Sequence, residues 1–280
     1  MSGIILKNVN YMYPGGTLAA DHLSIRIKSG ENIAVIGKNG AGKSTLAKML
    51  NGLLKPREGD VLIGDMNTRD YTTAQISKLA GYVFQNPDEQ IFHAAVEKEV
   101  AFGPKRMKLK KEEIKRRTEE ALKLTHLLEY REENPYNLPL SQRKFVTIAA
   151  VLAMEPDIYI FDEPTAGQDM AGNQKLAEIL RHLHRKGKTV ITITHDMEFV
   201  AENCEKIIVM ANNKIIRTGS PEEIFWDMEV MKEANLKQPS VSRICRQLGF
   251  TGPIRTSDAA KMILKHWQNL QENSKFTISP

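Results

Sequence analysis

The sequence predicts an α/β fold built on a largely parallel sheet. Short apolar or β-branched runs alternate along the chain with helical patterns, as strands and crossover helices do in such folds. A glycine-rich segment lies between one apolar run and a helical run, and two later apolar runs end in polar residues. The predicted strands are 4–9, 23–27, 32–36, 61–63, 81–84, 158–161, 190–194, 207–210 and 214–217. The predicted helices of this part of the chain are 44–51, 110–125, 141–154, 173–185 and 197–203.

The order of these patterns divides the chain into an α/β domain, residues 1–221, and a small helical domain, residues 222–280. The stretch of about 86–155 lacks strand patterns, so we expect a helical subdomain inserted into the sheet domain. Ser220, Pro221 and Glu223 form a typical helix start, with a hydroxyl cap, an early proline and a glutamate three residues after the cap.

Composition places the chain among soluble globular proteins. It has 280 residues, of which 41% are hydrophobic and 26% are charged. No apolar run of about 18 residues exists that could cross a bilayer, and the first residues lack the apolar segment of a secretory signal. We therefore expect a cytosolic protein in which Cys204 and Cys245 are reduced thiols.

The net charge of +5 arises partly from the basic stretch 105–117. Such charge can attract nucleic acid or an anionic membrane, but glutamates at helical spacing within it favour a solvated helix face. No aromatic residues are interleaved with the charges, so no stacking platform is indicated. We expect no nucleic-acid partner.

The segment 37–44, which reads Gly-Lys-Asn-Gly-Ala-Gly-Lys-Ser, is a complete phosphate-binding loop. It follows the apolar run 32–36 and precedes a helix, the setting in which backbone N–H groups and a helix N-terminus bind phosphate oxygens. Lys43 is expected to reach the β- and γ-phosphates, and the Ser44 hydroxyl to bind Mg²⁺. The predicted triphosphate-binding residues are Gly37, Asn39, Gly40, Ala41, Gly42, Lys43, Ser44 and Thr45.

Two carboxylates follow the apolar run 158–161. Asp162 is placed to hold Mg²⁺ through water. Glu163 is placed one position further, where a carboxylate can act as a general base or orient the attacking water. An acidic turn without function is the alternative, and the phosphate-binding loop argues against it.

Two further strand runs end in candidate site residues. His195 follows 190–194 and Gln85 follows 81–84, and ligands gather at the carboxyl ends of parallel strands. His195 is therefore expected to face the γ-phosphate, and Gln85 to reach Mg²⁺ or the water. Tyr11 or Tyr13 could stack on a base, with core packing as the alternative reading.

This ordered set of motifs resembles the ATP-binding subunit of an ATP-binding cassette (ABC) transporter over about residues 1–220. Tyr13, 37–45, Gln85, Asp162-Glu163, Asp169 and His195 match the A-loop, Walker A, Q-loop, Walker B, D-loop and H-loop. The resemblance implies an ATP hydrolase coupled to transport, with an ABC-type P-loop fold, ATP and Mg²⁺. It implies that Tyr13 contacts the base, that Ser44, Gln85 and Asp162 surround the metal, and that Glu163, His195 and Gln85 act in catalysis.

Segments 84–92, 99–104 and 154–157, with the helical C-terminal extension, resemble the energy-coupling-factor branch of this family. That branch imports a vitamin or a transition-metal ion. The resemblance implies a second ABC ATPase subunit, a transmembrane coupling protein and a small membrane protein that binds the substrate. It places the chain peripherally at the cytoplasmic face of the membrane, with 86–92 near the coupling helices and with 222–280 as a possible dimerisation element.

The family signature, Leu-Ser-Gly-Gly-Gln, is altered here. Ungapped alignment places Pro139, Leu140 and Ser141 where Ser-Gly-Gly is usual, between Leu138 and Gln142. In the family this segment contacts the γ-phosphate bound by the partner subunit; Pro139 has no N–H to offer, while Ser141 could still cap the helix. The D-loop has Gln168 before Asp169. We therefore expect a heterodimer in which the site completed by this signature is degenerate. A homodimer, which would place the altered signature in both sites, is the alternative, and an altered signature could also be tolerated.

Three other functions stay open at the level of sequence. The chain could serve another ABC transporter branch, or be a non-transport ABC ATPase acting on DNA or ribosomes. The long coiled coils, zinc modules or paired cassettes typical of the latter are not visible. A nucleotide-binding scaffold with little turnover is the third.

Overall fold

The computed structural model describes residues 3–275, with side chains to residue 269. Its main sheet has six strands in the order β10-β9-β3-β8-β7-β6, and all neighbours are parallel except β10 and β9. This sheet confirms the predicted, largely parallel sheet. The strands are β1 (Ile4–Met12), β2 (Leu18–Ile27), β3 (Asn32–Ile36), β4 (Glu58–Ile63), β5 (Met66–Asn67), β6 (Ala80–Val83), β7 (Ile158–Asp162), β8 (Thr189–Ile193), β9 (Lys206–Ala211) and β10 (Lys214–Gly219).

Helices cover the main sheet, as expected for strands joined by crossovers. The helices are α1 (Lys43–Leu50), α2 (Thr73–Ile76), α3 (Val96–Arg106), α4 (Lys111–Leu124), α5 (Leu140–Met154), α6 (Met170–Arg185), α7 (Met197–Asn203), α8 (Pro221–Trp226), α9 (Met228–Glu233), α10 (Ser240–Gln247) and α11 (Thr256–Lys275).

A second, antiparallel sheet of four strands was not predicted. Its order is β2-β1-β4-β5, and its apolar side chains, among them Ile4, Leu6 and Val61, pack in one cluster with the inner face of α1. The predicted strand positions are right, but β1 and β2 are longer than their apolar runs. Only a short turn therefore joins them, and a short connection requires antiparallel pairing.

Strands β3, β7 and β8 position the site. Every residue of these three strands is buried, so they read as continuous apolar runs because both faces of the sheet are covered. Their parallel register aligns Val35 with Ile193, and Ile193 with Asp162. The carboxyl ends of these strands therefore lie side by side, and the loops that follow them meet at one edge of the sheet.

The stretch between β6 and β7 contains only helical elements. Helix α5 is buried along most of its length, whereas α4 exposes one face on which Arg116 pairs with Glu113 and Glu120. Residues 111–117 of the basic stretch thus lie on a helix with internal ion pairs, as the charge pattern predicts, whereas residues 105–110 form the end of α3 and the connection to α4. The boundaries of 86–155 as a subdomain remain a prediction.

Helices α8–α11 form the C-terminal part, of which residues 276–280 of the predicted 222–280 lie outside the described region. Ser220 caps α8 in the predicted way: its hydroxyl accepts from Glu223 N–H at 3.2 Å, and its own N–H donates to Glu223 Oε2 at 2.8 Å. Ile224 and Phe225 are fully buried against β9 and α7. Within residues 3–275, no helix is both long enough and apolar enough to cross a membrane.

Candidate nucleotide site

The phosphate-binding loop joins β3 to α1 at the carboxyl edge of the sheet. Gly42 has φ of +94°, and a Cβ there would lie 2.3 Å from the Ala19 carbonyl oxygen. Gly37 is equally confined, since a Cβ would lie 2.2 Å from the Met210 carbonyl oxygen. Only glycine fits these two positions, so the loop follows a path that turns its N–H groups inward in the manner of a phosphate cradle.

Lys43, the first residue of α1, is buried beneath the loop. Its Nζ donates to the carbonyl oxygens of Gly37 at 2.8 Å and Lys38 at 3.1 Å. Burial lowers the pKa of this amine, and the nearby carboxylates of Glu163 and Asp162 offset part of that shift. The lysine is therefore held between the loop and the two acidic residues.

A cavity of about 430 Å³ lies above this loop, within the range of small-molecule sites; we call it the nucleotide cavity. The predicted residues that line it are Tyr13, Asn39, Gly40, Gly42, Lys43, Ser44, Thr45, Gln85, Glu163 and His195. Gly37 lines an adjoining cavity, and Ala41 is buried beneath the loop. Four further lining residues were not predicted, because no motif marks them: Thr17, Leu18, Ala19 and Asn213.

Tyr13 lies at one side of the nucleotide cavity. Its hydroxyl is 3.1 Å from Thr45 Oγ1, and the Tyr11 ring meets it edge-on, with centroids 5.1 Å apart. Tyr11 packs against the core cluster while Tyr13 lines the cavity. Of the two tyrosines, Tyr13 is therefore the one available to a base.

Asp162 ends β7 with both carboxylate oxygens in contact. Ser44 donates its hydroxyl to Oδ1 at 3.3 Å, and buried Tyr82 donates to Oδ2 at 2.6 Å. The sequence analysis missed Tyr82, although it lies in the strand run that leads to Gln85. Burial raises the pKa of Tyr82, as does the neighbouring Asp162, so its phenol remains a donor.

The oxygens of Ser44 and Asp162 form a donor set that suits Mg²⁺, which prefers oxygen ligands. Ser44, Gln85 and Asp162 all line a neighbouring cavity of about 590 Å³, and Ser44 and Gln85 also line the nucleotide cavity. The three predicted metal residues therefore meet at the boundary between the two cavities. Their chemistry and placement fit the ion.

Glu163 is buried and has φ of +48°, a left-handed conformation that is uncommon for a residue with a side chain. His195 Nδ1 lies 2.9 Å from Glu163 Oε2, but the angle is not that of a hydrogen bond, and Oε2 has no hydrogen-bond partner among the described residues. An acceptor buried in this way is available to a bound molecule. His195 itself is largely exposed.

The altered signature begins α5. The helix starts at Leu140, Pro139 occupies the capping position, and no side chain caps it. The expectation that Ser141 caps the helix is therefore wrong: Pro139 has a φ suited to helix entry, and its carbonyl already accepts from Arg143 N–H at 2.9 Å. Ser141 and Gln142 lie within the first turn. Leu138 is buried, while the Leu140 side chain is half exposed.

The two departures from the family pattern touch each other. Gln168 Nε2 donates to the Ser141 carbonyl oxygen at 3.1 Å. Asp169, next in the chain, caps α6 by accepting from Gly172 N–H at 2.7 Å. Gln168 thus attaches the loop after Glu163 to the first turn of α5, and Asp169 joins the loop to α6.

Comparison with known proteins decides the family. The family model described as "ABC transporter" matches residues 20–166. The energy-coupling factor transporter ATP-binding protein EcfA of Methanocaldococcus jannaschii is 40% identical over 240 residues, which are 85% of this chain and 86% of the relative. This chain belongs to the ABC transporter family. A putative ABC transporter ATP-binding protein of Caldanaerobacter subterraneus is also 40% identical, but the match spans only 43% of that longer protein.

Solved structures agree with this assignment. The structure of cbiO1 from Clostridium perfringens, described as part of the ABC transporter complex cbiONQ, has a TM-score of 0.74 at 37% identity and covers 88% of this chain and 98% of that one. A dimeric ATP-binding cassette bound to ADP and Pi gives 0.71 at 30% identity, covering 78% of this chain and 98% of that one. These similarities confirm the predicted fold, the resemblance to the energy-coupling-factor branch, and the enzyme class of a transport ATPase.

Proposed function

We propose that this chain is the ATPase subunit of an energy-coupling-factor importer, which hydrolyses ATP to power uptake of a vitamin or a transition-metal ion through membrane partners. The observation that carries the proposal is the convergence of Tyr13, Lys43, Gln85, Glu163 and His195 on one cavity. The 40% identity to an EcfA protein supports the branch. Residues 1–221 would be the nucleotide-binding domain, and 222–280 its helical extension.

ATP binds in the nucleotide cavity. The ring of Tyr13 meets the base, and the loop N–H groups bind the phosphates. Lys43 exchanges its two carbonyl contacts, at 2.8 and 3.1 Å, for phosphate oxygens. This exchange is favourable because a buried ammonium gains more from an anion than from carbonyl dipoles.

Ser44, Asp162 and Gln85 would hold Mg²⁺. When bound, the ion would neutralise charge on the phosphate oxygens. Tyr82 keeps one Asp162 oxygen engaged through its 2.6 Å hydrogen bond, so the other oxygen is left to accept from Ser44. Such outer hydrogen bonds commonly fix the orientation of metal-binding groups.

Water is positioned by Glu163. The free Oε2 of this carboxylate accepts a hydrogen bond from water and polarises it toward the γ-phosphate. His195, whose Nδ1 is 2.9 Å from the same oxygen, lies beside the carboxylate and contacts the γ-phosphate from its exposed face. Gln85 offers its amide to the water or to the ion. Glu163, His195 and Gln85 are therefore the catalytic residues of the proposal.

The partner subunit's nucleotide meets Leu138–Gln142 and Asp169 of this chain. Pro139 supplies no N–H and Leu140 presents an exposed apolar side chain there. Losing one preorganised donor costs roughly 3 kcal/mol of transition-state stabilisation. We therefore infer one active and one slow site in a heterodimer, with the active site on this chain's Walker A and Glu163.

Dimerisation through the C-terminal helices is supported by an exposed apolar face. Ile244 on α10, Leu248 directly after that helix, and Leu264 and Trp267 on α11 are each more than half exposed, and their spacings place each pair on one helix face. A second ATPase subunit is the occupant we propose, because the extension packs through α8 against α7, which follows His195.

The transmembrane coupling protein docks on an aromatic cluster beside 86–92. The rings of Phe92 and Phe102 meet edge-on at 4.7 Å, with His93 4.4 Å from Phe92. Phe92 is 60% exposed and Tyr136 nearby is 48% exposed. An exposed aromatic surface of this kind is typical of protein interfaces. Docking there would hold the chain at the cytoplasmic membrane face.

Mild-detergent purification of the tagged chain from its native cells tests this function. We expect a multi-span membrane protein, a second cassette subunit with an intact signature, and a small membrane protein that binds the substrate. Recovery of soluble partners only, or of nucleic acid, would contradict the uptake function and leave the ATPase assignment intact.

A further inference from the structure

Lys144 is a buried lysine that the proposed chemistry does not use. It lies in the second turn of α5 and is only 3% exposed. Its Nζ donates to the carbonyl oxygens of Glu163 and Ala166, both at 2.8 Å. Burial lowers the pKa of this amine, and the carboxylates of Glu163 and Asp162 partly offset the shift. Burying an amine is costly unless its N–H groups donate hydrogen bonds. The two bonds to the carbonyl oxygens of Glu163 and Ala166 offset that cost.

The bond to Glu163 acts on a strained residue. Left-handed φ at a non-glycine residue costs about 1 kcal/mol or more and persists only where neighbours enforce it. The Glu163 N–H donates to the Ile193 carbonyl at 2.8 Å, and its carbonyl accepts from Lys144 and, at 3.3 Å, from Ala166 N–H. Both backbone groups of Glu163 are therefore fixed, and Lys144 is the only side chain among these partners.

The same loop is attached to α5 a second time. Gln168 binds the Ser141 carbonyl at 3.1 Å, one helical turn before Lys144. Residues 163–168 are thus fastened to the helix whose first residues form the altered signature. A displacement of that end of α5 would move the backbone of Glu163 with it.

We propose that Lys144 is a positioning residue for ATP hydrolysis: it fixes the backbone of Glu163 and links it to α5. The inference rests on the proposed role of Glu163 as the residue that orients water. Lys144 does not line the nucleotide cavity, but it lines the neighbouring cavity together with Ser44, Gln85 and Asp162. Because its Nζ is engaged by the backbone carbonyls of Glu163 and Ala166, we expect it to act on turnover with little effect on ATP affinity.

The test compares Lys144→Met with wild type in the full chain, assembled with whatever subunits purify with it. Misplacing a reacting group by about 1 Å can cost roughly 100-fold in rate, so we expect kcat to fall roughly 10- to 100-fold while the Kd for ATP changes less than about twofold. Lys175→Met is the matched control, because Lys175 also packs against α5, with Nζ 4.7 Å from the Phe145 ring centroid, yet touches neither carbonyl. It is expected to retain wild-type kcat.

A double-mutant cycle of Lys144→Met and Glu163→Gln distinguishes this inference from the proposed function. If Lys144 acts through Glu163, adding Lys144→Met to Glu163→Gln lowers the residual turnover no further. If Glu163→Gln alone retains turnover, the proposed role of Glu163 fails. If only Glu163→Gln loses turnover, the role of Lys144 fails. Equal losses of kcat and ATP affinity in Lys144→Met would also overturn it. Should Lys144→Met not fold, Lys144→Leu, which also removes the N–H donors, carries the same comparison.

Discussion

His195 Nδ1 lies 2.9 Å from Glu163 Oε2, although the two residues are far apart in sequence. The sheet register explains their proximity. Asp162 pairs with Ile193 on the neighbouring parallel strand, so the residues that follow these two positions leave the sheet together. The pairing of β7 with β8 thus brings together the two residues for which we propose a catalytic role.

Replacing His195 with alanine tests whether this proximity serves catalysis. The change removes the group beside Glu163 without altering the phosphate-binding loop. We expect kcat to fall roughly 100-fold, the usual scale for a positioned proton-transfer or hydrogen-bonding group, with KM little changed. Steady-state ATPase assays check this. Loss of nucleotide binding instead of turnover would show that His195 serves ATP affinity.

Tyr82→Phe tests the raised pKa of the buried phenol. The folded chain keeps this proton above the ordinary tyrosine pKa of about 10, because burial and Asp162 disfavour the phenolate. Its contribution to the free energy of unfolding is therefore complete below pH 10 and declines as pH rises further. Between about pH 10 and 11.5, the variant should lose stability less steeply than wild type, by about 1.4 kcal/mol per pH unit.

Denaturant unfolding at several pH values measures that difference. The exposed Tyr71, changed to phenylalanine, is the control and should follow wild type. Near neutral pH, Tyr82→Phe should cost about 1–3 kcal/mol, since Asp162 Oδ2 loses its donor. Identical pH profiles for wild type and Tyr82→Phe would contradict the assignment.

Much of the site could be predicted because its residues follow strand ends. The fixed spacing of the phosphate-binding loop predicts the position of Lys43. Asp162 and His195 follow apolar strand runs, so their positions at the sheet edge could be predicted without knowledge of tertiary contacts. Lys144 could not be found in this way, because its partners are backbone carbonyls of a distant loop. Tyr82 lies within an apolar strand run, so the sequence did not indicate that its hydroxyl binds Asp162.

The fold, like the site, could be predicted only in part from the sequence. Apolar runs located the strands, but the second sheet was missed because the predicted strands stopped short of residues 10–12 and 18–22, which extend β1 and β2. With those ends included, the short connection would have indicated a hairpin. The start of α5 was predicted one residue late. Pro139 was considered only as a residue without an N–H donor, although its φ also suits the entry to a helix.

Restoring the signature tests the degenerate-site hypothesis. The triple change Pro139→Ser, Leu140→Gly and Ser141→Gly returns N–H donors and close backbone approach. If the altered residues limit hydrolysis, turnover of the chain without other subunits should rise at least about tenfold, given that one donor is worth roughly 100-fold. Glycine in the first turn costs about 1 kcal/mol in stability, so thermal unfolding is followed in parallel. Unchanged turnover in the folded variant would mean that the altered signature is tolerated.

Trp267→Glu tests the C-terminal helices as a dimerisation surface. A charge on this 58% exposed apolar position would have to be desolvated in an interface, so we expect the dimer to weaken roughly tenfold or more. Sedimentation over a concentration series measures this. Leu53→Glu, on an exposed leucine of the nucleotide-binding domain, is the control. Equal dissociation constants for the two variants would place the interface elsewhere.

The most direct test of the account is ATP turnover by the complex purified from native cells, with Glu163→Gln introduced in this chain alone. We predict that turnover falls at least about 100-fold, while the Kd for ATP stays within about threefold, because this chain's Walker A and Glu163 form the active site. Turnover within about twofold of wild type would contradict the account, since hydrolysis would then occur at the site on the partner subunit.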